Sequence, residues 1–311
     1  MKILHLDSNH SMIKKRLSQL GLKNDIDLTS NKDEIENIID VYHGLIIRSR
    51  IKIDKDLIDK AVNLKFIARV GSGTENIDCK YLMKKNIKLI TSGEGNSNAV
   101  GEHTLGLLLD LSKKITKSHI EMQNNLRKRE ENRGFEIEGK TIGIIGYGKT
   151  GKSFARKLSG FNCNVIFNDL KKDLGDEYAK QVTISELKEK SEVISIHTDL
   201  NKLSHHLINK KFINDCKKPF YFLNTSRGEC VNTEDLIFGL KNGKISGAGL
   251  DVLENETKSF FALNNDDSFD KIKKFENVIL TPHIAGWSFE SKVKLAEITV
   301  DKIKKFLGRK N

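Results

Sequence analysis

The sequence predicts an α/β fold of two Rossmann-like doubly wound domains, because short apolar runs alternate with helical patterns along most of its 311 residues. One series of these runs lies in the first third of the chain, and a second series starts at Thr141. The second series opens with a strand-like run that leads into a glycine-rich turn, the arrangement that binds a dinucleotide. We therefore expect a dinucleotide-binding domain inserted in a domain built from the two ends of the chain.

The glycine-rich turn follows the apolar run Ile142–Ile145 and precedes a helical pattern. The residues of the turn that we expect to contact the cofactor are Gly146, Tyr147, Gly148, Lys149, Thr150 and Gly151. In such a turn the first glycine permits a sharp bend, the second lets the main chain approach a pyrophosphate, and the third lets the helix pack against the strand. The start of the helix directs backbone N–H groups at the anion.

An acidic residue follows the next predicted strand. The apolar run Val165–Phe167 ends at Asp169, about 20 residues beyond the glycines, where such domains hold the ribose hydroxyls of the adenosine. A carboxylate at this position repels the 2′-phosphate of NADP. The sequence thus predicts NAD as the cofactor.

The remaining strand-like runs and helical patterns divide the chain. Before the turn, β-type runs occupy residues 2–6, 44–49, 65–71 and 87–91. A long apolar helix is predicted over 99–114, and after Asp169 the strand-like runs are 193–196, 220–224, 245–252 and 277–281. A final helix is predicted over 290–307. We expect a discontinuous substrate domain of residues 1–97 and 287–311 and an NAD-binding domain of residues 98–286.

The composition limits the classes of function. The net charge of +11 comes from lysines that are spread along the chain among acidic residues, without the interleaved aromatic residues that stack on bases, so we expect no nucleic-acid partner. No apolar run is long enough for a membrane span, and the N-terminal sequence reaches Asp7 too early for a signal peptide, so a cytoplasmic protein is expected. The four scattered cysteines predict neither a disulfide framework nor a metal site.

Three polar residues lie at the ends of predicted strands in the second half of the chain, where an open parallel sheet presents its ligands. They are Arg227, Glu256 and His283. Hydride transfer between a nicotinamide and a 2-oxo acid requires a cation that binds the carboxylate and a proton donor at the developing alkoxide. Arg227 suits the first role and His283 the second, with Glu256 favouring the protonated imidazole.

An ordered series of segments resembles the D-isomer-specific 2-hydroxyacid dehydrogenases. Besides the glycine turn, the segments are RVGSGTENID (69–78), GNSNAVGEHTLGLLL (95–109), NTSRGE (224–229), GAGLDVLENE (247–256) and TPHIAG (281–286). In that family the arginine, glutamate and histidine of the last three segments form the catalytic set, which agrees with the roles inferred from the residues alone. The family is usually dimeric or larger, and the predicted helix over 99–114 is a candidate interface.

The resemblance implies further site residues. Asp251 is expected to hold the carboxamide of the nicotinamide. The other residues expected along the cofactor are His197, Thr198, Thr225, Ser226, His283 and Gly286. The backbone of Gly71, Ser72 and Gly73 is expected to meet the substrate carboxylate.

The segment Arg48-Ser49-Arg50 bears on the substrate. Alternate residues of a strand point the same way, so the two guanidinium groups could share one face, although two exposed surface arginines would give the same pattern. The segment resembles the phosphate-binding element of the D-3-phosphoglycerate dehydrogenases in this family, and Asn96 matches a substrate-side asparagine there. The expected substrate is a phosphorylated 2-hydroxy acid, 3-phosphoglycerate.

Three alternatives remain open. Trp287 stands where the family usually has a small residue, which is more similar to the erythronate-4-phosphate dehydrogenases. A glyoxylate or hydroxypyruvate reductase would share the catalytic set but not the need for a phosphate site. Related folds also act as NAD-sensing corepressors, and a turnover assay distinguishes that function from an enzyme.

Overall fold

The computed structural model describes residues 1–254, 256 and 267–309. The chain forms two compact units, one of Met1–Asn96 with Trp287–Asn311 and one of Ser97–Gly286. The division predicted from the sequence placed the first boundary at residue 97. Each unit is built around a parallel β-sheet with helices.

The first unit contains a parallel sheet of five strands within the described residues, in the order β2-β1-β3-β4-β5. The strands are β1 (Lys2–His5), β2 (Lys23–Ile26), β3 (Gly44–Ile47), β4 (Phe66–Arg69) and β5 (Lys88–Thr91). The helices between them are α1 (Met12–Gln19), α2 (Lys32–Glu36), α3 (Lys55–Lys60) and α4 (Cys79–Lys84), with 3-10 turns at Ile39–Val41 and Gly93–Gly95. The strand order changes direction at β1 and β3, and ligands of such sheets bind beyond the carboxyl ends of the strands at that point.

The second unit contains a parallel sheet of seven described strands in the order β12-β11-β10-β9-β6-β7-β8. The strands are β6 (Thr141–Ile145), β7 (Asn164–Asn168), β8 (Lys180–Gln181), β9 (Val193–Ile196), β10 (Phe220–Asn224), β11 (Ile245–Leu250) and β12 (Val278–Leu280). The helices are α5 (Ser97–Lys113), α6 (Ile115–Gln123), α7 (Lys149–Lys157), α8 (Ile184–Lys190), α9 (Lys210–Asp215), α10 (Thr233–Lys241) and α11 (Asp267–Ile272), and 3-10 turns lie at Leu158–Phe161 and Gly228–Cys230. Counted from β6, this is the order of a dinucleotide-binding sheet with an additional strand, and its direction changes between β6 and β9.

The chain then returns to the first unit in α12 (Phe289–Phe306). Ser288 begins this helix with a capping box, in which its hydroxyl accepts from the amide of Ser291 and the Ser291 hydroxyl accepts from the amide of Ser288. The apolar face of α12 is buried with strand residues of the first unit in one core. That core includes Ile3, Leu17, Phe66, Ala296, Val300 and Ile303.

Helix α5 is part of the second unit. Its residues Leu107, Leu108 and Leu111 pack in a buried core with Ile142, Phe154 and Phe167. The apolar residues that predicted this helix therefore pack against residues of the same unit. Within the described ranges, none of the helices combines the length and apolar character that crossing a lipid bilayer requires.

Candidate active site

The glycine turn lies between β6 and α7, beside the point where the sheet changes direction. Gly146 has a φ of +90°, and a Cβ on it would lie 2.6 Å from the carbonyl oxygen of His197. A Cβ on Gly151 would lie 2.2 Å from the carbonyl oxygen of Gly146, so the helix can pack this close only with glycine there. Gly148 precedes the first residue of α7, and nothing lies within 4 Å of its Cβ position. This open space at the start of a helix fits a pyrophosphate.

Asp169 follows β7 and reaches the glycine turn directly. One carboxylate oxygen accepts a hydrogen bond from the amide of Tyr147 at 2.8 Å, and the other accepts from the amide of Lys171 at 2.9 Å. The Tyr147 ring stacks on Phe167, and its hydroxyl donates to Asp176 at 2.6 Å. The Tyr147 side chain is therefore part of the core. Only the main chain of Tyr147 remains for the expected contact with the cofactor. Lys149 and Thr150 begin α7, and Lys149 is exposed.

His197 follows β9 and is buried. Its Nε2 lies 2.9 Å from the Ser195 hydroxyl, and burial lowers its pKa to about 3, so the ring is neutral. Its Nδ1 has no hydrogen-bond partner among the described residues. The next residue, Thr198, is half-buried with its hydroxyl 3.6 Å from the Cys230 sulfur. Nothing in the sequence indicated that His197 would be a buried neutral imidazole rather than an exposed one.

The end of β10 carries the predicted arginine. The Thr225 hydroxyl lies 2.9 Å from that of Thr104 on α5, and both the amide and the hydroxyl of Ser226 donate to the Asn224 side chain. Arg227 comes next and is half-buried, with Nη1 donating to the Ser226 carbonyl at 2.6 Å. The hydrogen bonds of Asn224 and Ser226 hold the backbone on which Arg227 stands.

Asp251 follows β11 and is 1% exposed. Its carboxylate accepts from the Thr281 hydroxyl at 2.6 Å and from the amides of Ile284 and Ala285 at 2.9 and 2.8 Å. Burial opposes its ionisation, but these bonds and one from His103 together lower the pKa of Asp251 below its usual value. The residue thus anchors the segment from Thr281 to Ala285, a role that the expected contact with the carboxamide did not include.

His283 and Glu256 form a pair in this unit. His283 Nδ1 lies 2.8 Å from Glu256 Oε2, and the other oxygen of Glu256 accepts from the amide of Leu253 at 2.7 Å. The His283 side chain is 33% exposed and that of Glu256 is 22% exposed, so both are accessible in part. The carboxylate of Glu256 thus orients the imidazole through Nδ1, the arrangement of a catalytic base held by a third group. The structure brings together the acid and the histidine that the sequence predicted.

The two arginines of the first unit differ in their surroundings. Both lie beyond the end of β3, in a segment whose amides at Arg48 and Arg50 are held by Asp7, so the alternation of a strand does not apply to them. The Arg50 guanidinium donates to the backbone carbonyls of Leu6, Asp27 and Ser30. The Arg50 guanidinium, expected at a phosphate, is therefore engaged by the loops beside it. Ser49, between them, is exposed.

Arg48 is half-buried, and its guanidinium lies over the Trp287 ring at 5.1 Å. Burial lowers its pKa, although the charge of Asp7 opposes this effect. Among the described residues its guanidinium has no hydrogen-bond partner. Of the two arginines, Arg48 is the one whose donors remain available to an anion.

The loop after β4 carries the residues expected at the substrate carboxylate. Gly71, with a φ of +147°, donates its amide to the Ser92 hydroxyl at 3.1 Å, whereas the amides of Ser72 and Gly73 donate no hydrogen bond within the described part of the chain. Arg69, which sequence analysis did not single out, binds the carbonyls of Val70 and Gly73. Two amides are thus left for a carboxylate. Asn96 has a buried Oδ1 without a hydrogen-bond partner among the described residues.

The sheet order and the glycine turn define the second unit as a dinucleotide-binding domain. Residues 105–285 match the model of the D-isomer specific 2-hydroxyacid dehydrogenase, NAD binding domain. The chain is 31% identical to a hydroxypyruvate reductase of Thermotoga maritima over 303 residues, covering 96% of this chain and 97% of that one. It is 33% identical to a glyoxylate reductase of Thermofilum pendens over 277 residues, covering 86% and 79%.

A solved structure is also similar to this chain over almost its whole length. The D-lactate dehydrogenase of Aquifex aeolicus, in complex with NAD and lactic acid, matches with a TM-score of 0.85 and 28% identity, covering 99% of this chain and 96% of that one. The chain belongs to the D-isomer-specific 2-hydroxyacid dehydrogenase family. It is an NAD-dependent 2-hydroxyacid dehydrogenase with two Rossmann-like parallel-sheet domains.

Proposed function

We propose that the enzyme oxidises the 2-hydroxyl of D-3-phosphoglycerate to give 3-phosphohydroxypyruvate. The observation that carries this proposal is Arg48, a half-buried guanidinium without a hydrogen-bond partner among the described residues. A partly desolvated cation is stabilised by an anion, and a 2-hydroxy acid that carries a phosphate supplies a second anion besides its carboxylate. Asn96, with its buried Oδ1, is proposed to lie on the substrate side as well.

Each proposed catalytic residue has one role. Arg227 binds the carboxylate of the substrate. His283 Nε2 removes the hydroxyl proton during oxidation and returns it to the carbonyl oxygen during reduction, while Glu256 stabilises the imidazolium that forms. The glycine turn and Asp169 would hold NAD, which would supply the hydride acceptor for C2 of the hydroxy acid.

The second candidate is a reductase of small unphosphorylated 2-oxo acids. The names of the Thermotoga maritima and Thermofilum pendens relatives favour hydroxypyruvate or glyoxylate. The occupied guanidinium of Arg50 also favours it, because one arginine binds a phosphate less tightly than two. The catalytic set is the same in both candidates, so the test must address the phosphate itself.

Replacing Arg48 distinguishes the candidates. We expect Arg48→Gln to lower kcat/KM for 3-phosphoglycerate by about 10- to 100-fold, since a charge-assisted hydrogen bond contributes about 1.5–3 kcal/mol. The value for D-glycerate, which lacks the phosphate, should change by less than about twofold. The measurement is steady-state NADH formation with both acids.

Arg50→Gln is the matched control. Because Arg50 binds three backbone carbonyls, its replacement should lower the melting temperature and affect both acids alike. If wild-type enzyme used D-glycerate as well as 3-phosphoglycerate, and Arg48→Gln affected both equally, the phosphorylated substrate would be excluded. The reductase candidate would then stand.

A further inference from the structure

A second histidine contacts the segment that carries His283. His103 is on α5, and its Nε2 lies 2.9 Å from the Thr281 hydroxyl oxygen and 3.4 Å from Asp251 Oδ1. Thr281 in turn donates its hydroxyl proton to Asp251 Oδ1 at 2.6 Å. The three residues come from α5 and from the ends of β11 and β12, so the contact joins elements distant in the sequence.

The proton positions in this contact follow from the acceptors. The Thr281 proton points at the ionised carboxylate of Asp251, so the Thr281 oxygen is left as an acceptor toward His103. Both atoms near His103 Nε2 are then acceptors, and Nε2 must carry a proton. The order of donation is His103 to Thr281 to Asp251.

Asp251 at the end of this series holds the backbone around His283. Its carboxylate accepts from the amides of Ile284 and Ala285, and its own carbonyl accepts from the amide of His283 at 2.8 Å. His283 has a φ of +54°, a left-handed conformation that is unfavourable for a residue other than glycine. Such a conformation persists only where surrounding hydrogen bonds hold it.

We propose that His103 is a positioning residue for hydride transfer. His103 donates a hydrogen bond to Thr281, and Thr281 holds the carboxylate of Asp251 in place. Asp251 in turn stabilises the left-handed turn that orients the His283 side chain. This inference rests on the proposed proton transfer by His283, and His103 itself touches neither substrate nor the reacting atoms.

Substitutions of His103 distinguish a positioning role from a general contribution to stability. His103→Leu should lower kcat about 10- to 100-fold, because a misplacement of a catalytic group by about 1 Å costs that much, while Kd for NAD changes less than about threefold. His103→Gln keeps an N–H donor and should recover most of kcat. The exposed His205, replaced by Leu, serves as the control and should keep wild-type kcat.

A double-mutant cycle tests the route through Thr281. If His103 acts only through that hydroxyl, His103→Leu in a Thr281→Val background should cause no further loss of kcat. Additive losses, or a Gln variant as impaired as the Leu variant, would overturn the inference.

A measurement independent of turnover keeps the two proposals apart. In wild-type enzyme, ¹⁵N NMR of the histidine rings, assigned with the Gln variant, should show a protonated Nε2 at His103. An unprotonated Nε2 would overturn the positioning role whatever the kinetics. Full activity of His283→Ala would instead contradict the proposed proton transfer, with the His103 ring unaffected.

Discussion

At the residue scale, the His283–Glu256 pair makes the most direct prediction. His283→Ala should lower kcat by about 10²- to 10⁴-fold with NAD binding retained, because the general acid and base is lost. Glu256→Gln removes the carboxylate that orients the imidazole through Nδ1, so kcat should fall while NAD binding is retained. An unchanged kcat would assign Glu256 to the anchoring of Leu253 alone.

Asp251 makes a prediction about acid stability. The pKa of Asp251 in the folded state lies below its unfolded value of 3.8, so its contribution is fully present above that pH and is lost as the pH falls through the folded pKa. Asp251→Asn should destabilise the protein by about 2 kcal/mol at pH 7, since charged hydrogen bonds contribute about 1.5–3 kcal/mol. The difference between the two proteins in denaturant unfolding should shrink at pH 3. A constant difference would mean that the charge of Asp251 is unimportant for stability.

The sequence indicates the place of a residue best where position in a parallel sheet determines it. Arg227 and His283 follow strand ends, so both could be assigned to one edge of the sheet from the sequence, whereas Asp251 was expected at the cofactor only from the resemblance to the family. Arg50 could not be interpreted in this way, because its partners are backbone carbonyls of loops that have no side-chain signature. His103 was visible within a segment resembling the family but gave no sign of its partner Thr281, 178 positions away.

At the scale of elements, alanine replacement at two positions of the glycine turn should have different effects on stability and on NAD binding. In Gly151→Ala the new Cβ would lie 2.2 Å from a backbone oxygen, so strand and helix must separate, and we expect about 1–3 kcal/mol of destabilisation and loss of NAD binding. In Gly148→Ala the new Cβ meets nothing within 4 Å, so stability should be unchanged while NAD affinity falls. Unfolding and NAD titrations measure both. Equal destabilisation by the two variants would contradict this division of roles.

The elements that sequence analysis missed lack an apolar pattern. Strand β2 (Lys23–Ile26) is the polar run KNDI at a sheet edge, and β8 is only Lys180–Gln181. Helix α6 has no buried residue at all. Strands β2 and β8 form by pairing with a neighbouring strand, and α6 directly follows α5. The hydrophobic periodicity of a single sequence does not record such contacts.

At the scale of the whole molecule, we propose a homodimer. The helix expected at its interface, α5, buries its leucines in its own unit, whereas α6 exposes Ile115, Ile120 and Met122 by 57%, 50% and 61%. Adjacent exposed apolar residues are typical of a protein interface. Ile120→Lys with Met122→Lys should convert the dimer to a monomer in light scattering, and Val62→Lys, at an exposed site of the first unit, should not. A wild-type monomer would contradict the proposal.

The return of α12 to the first unit has a consequence for synthesis on the ribosome. Ile3 and Phe66 leave the exit tunnel early, but the helix that shares their core follows the whole second unit in chain order. The second unit is continuous and contains all the strands of its own sheet among its described residues. We therefore expect it to reach its native state before the unit that precedes it, against the usual order of synthesis, while the nascent first sheet keeps an uncovered apolar face that invites chaperones.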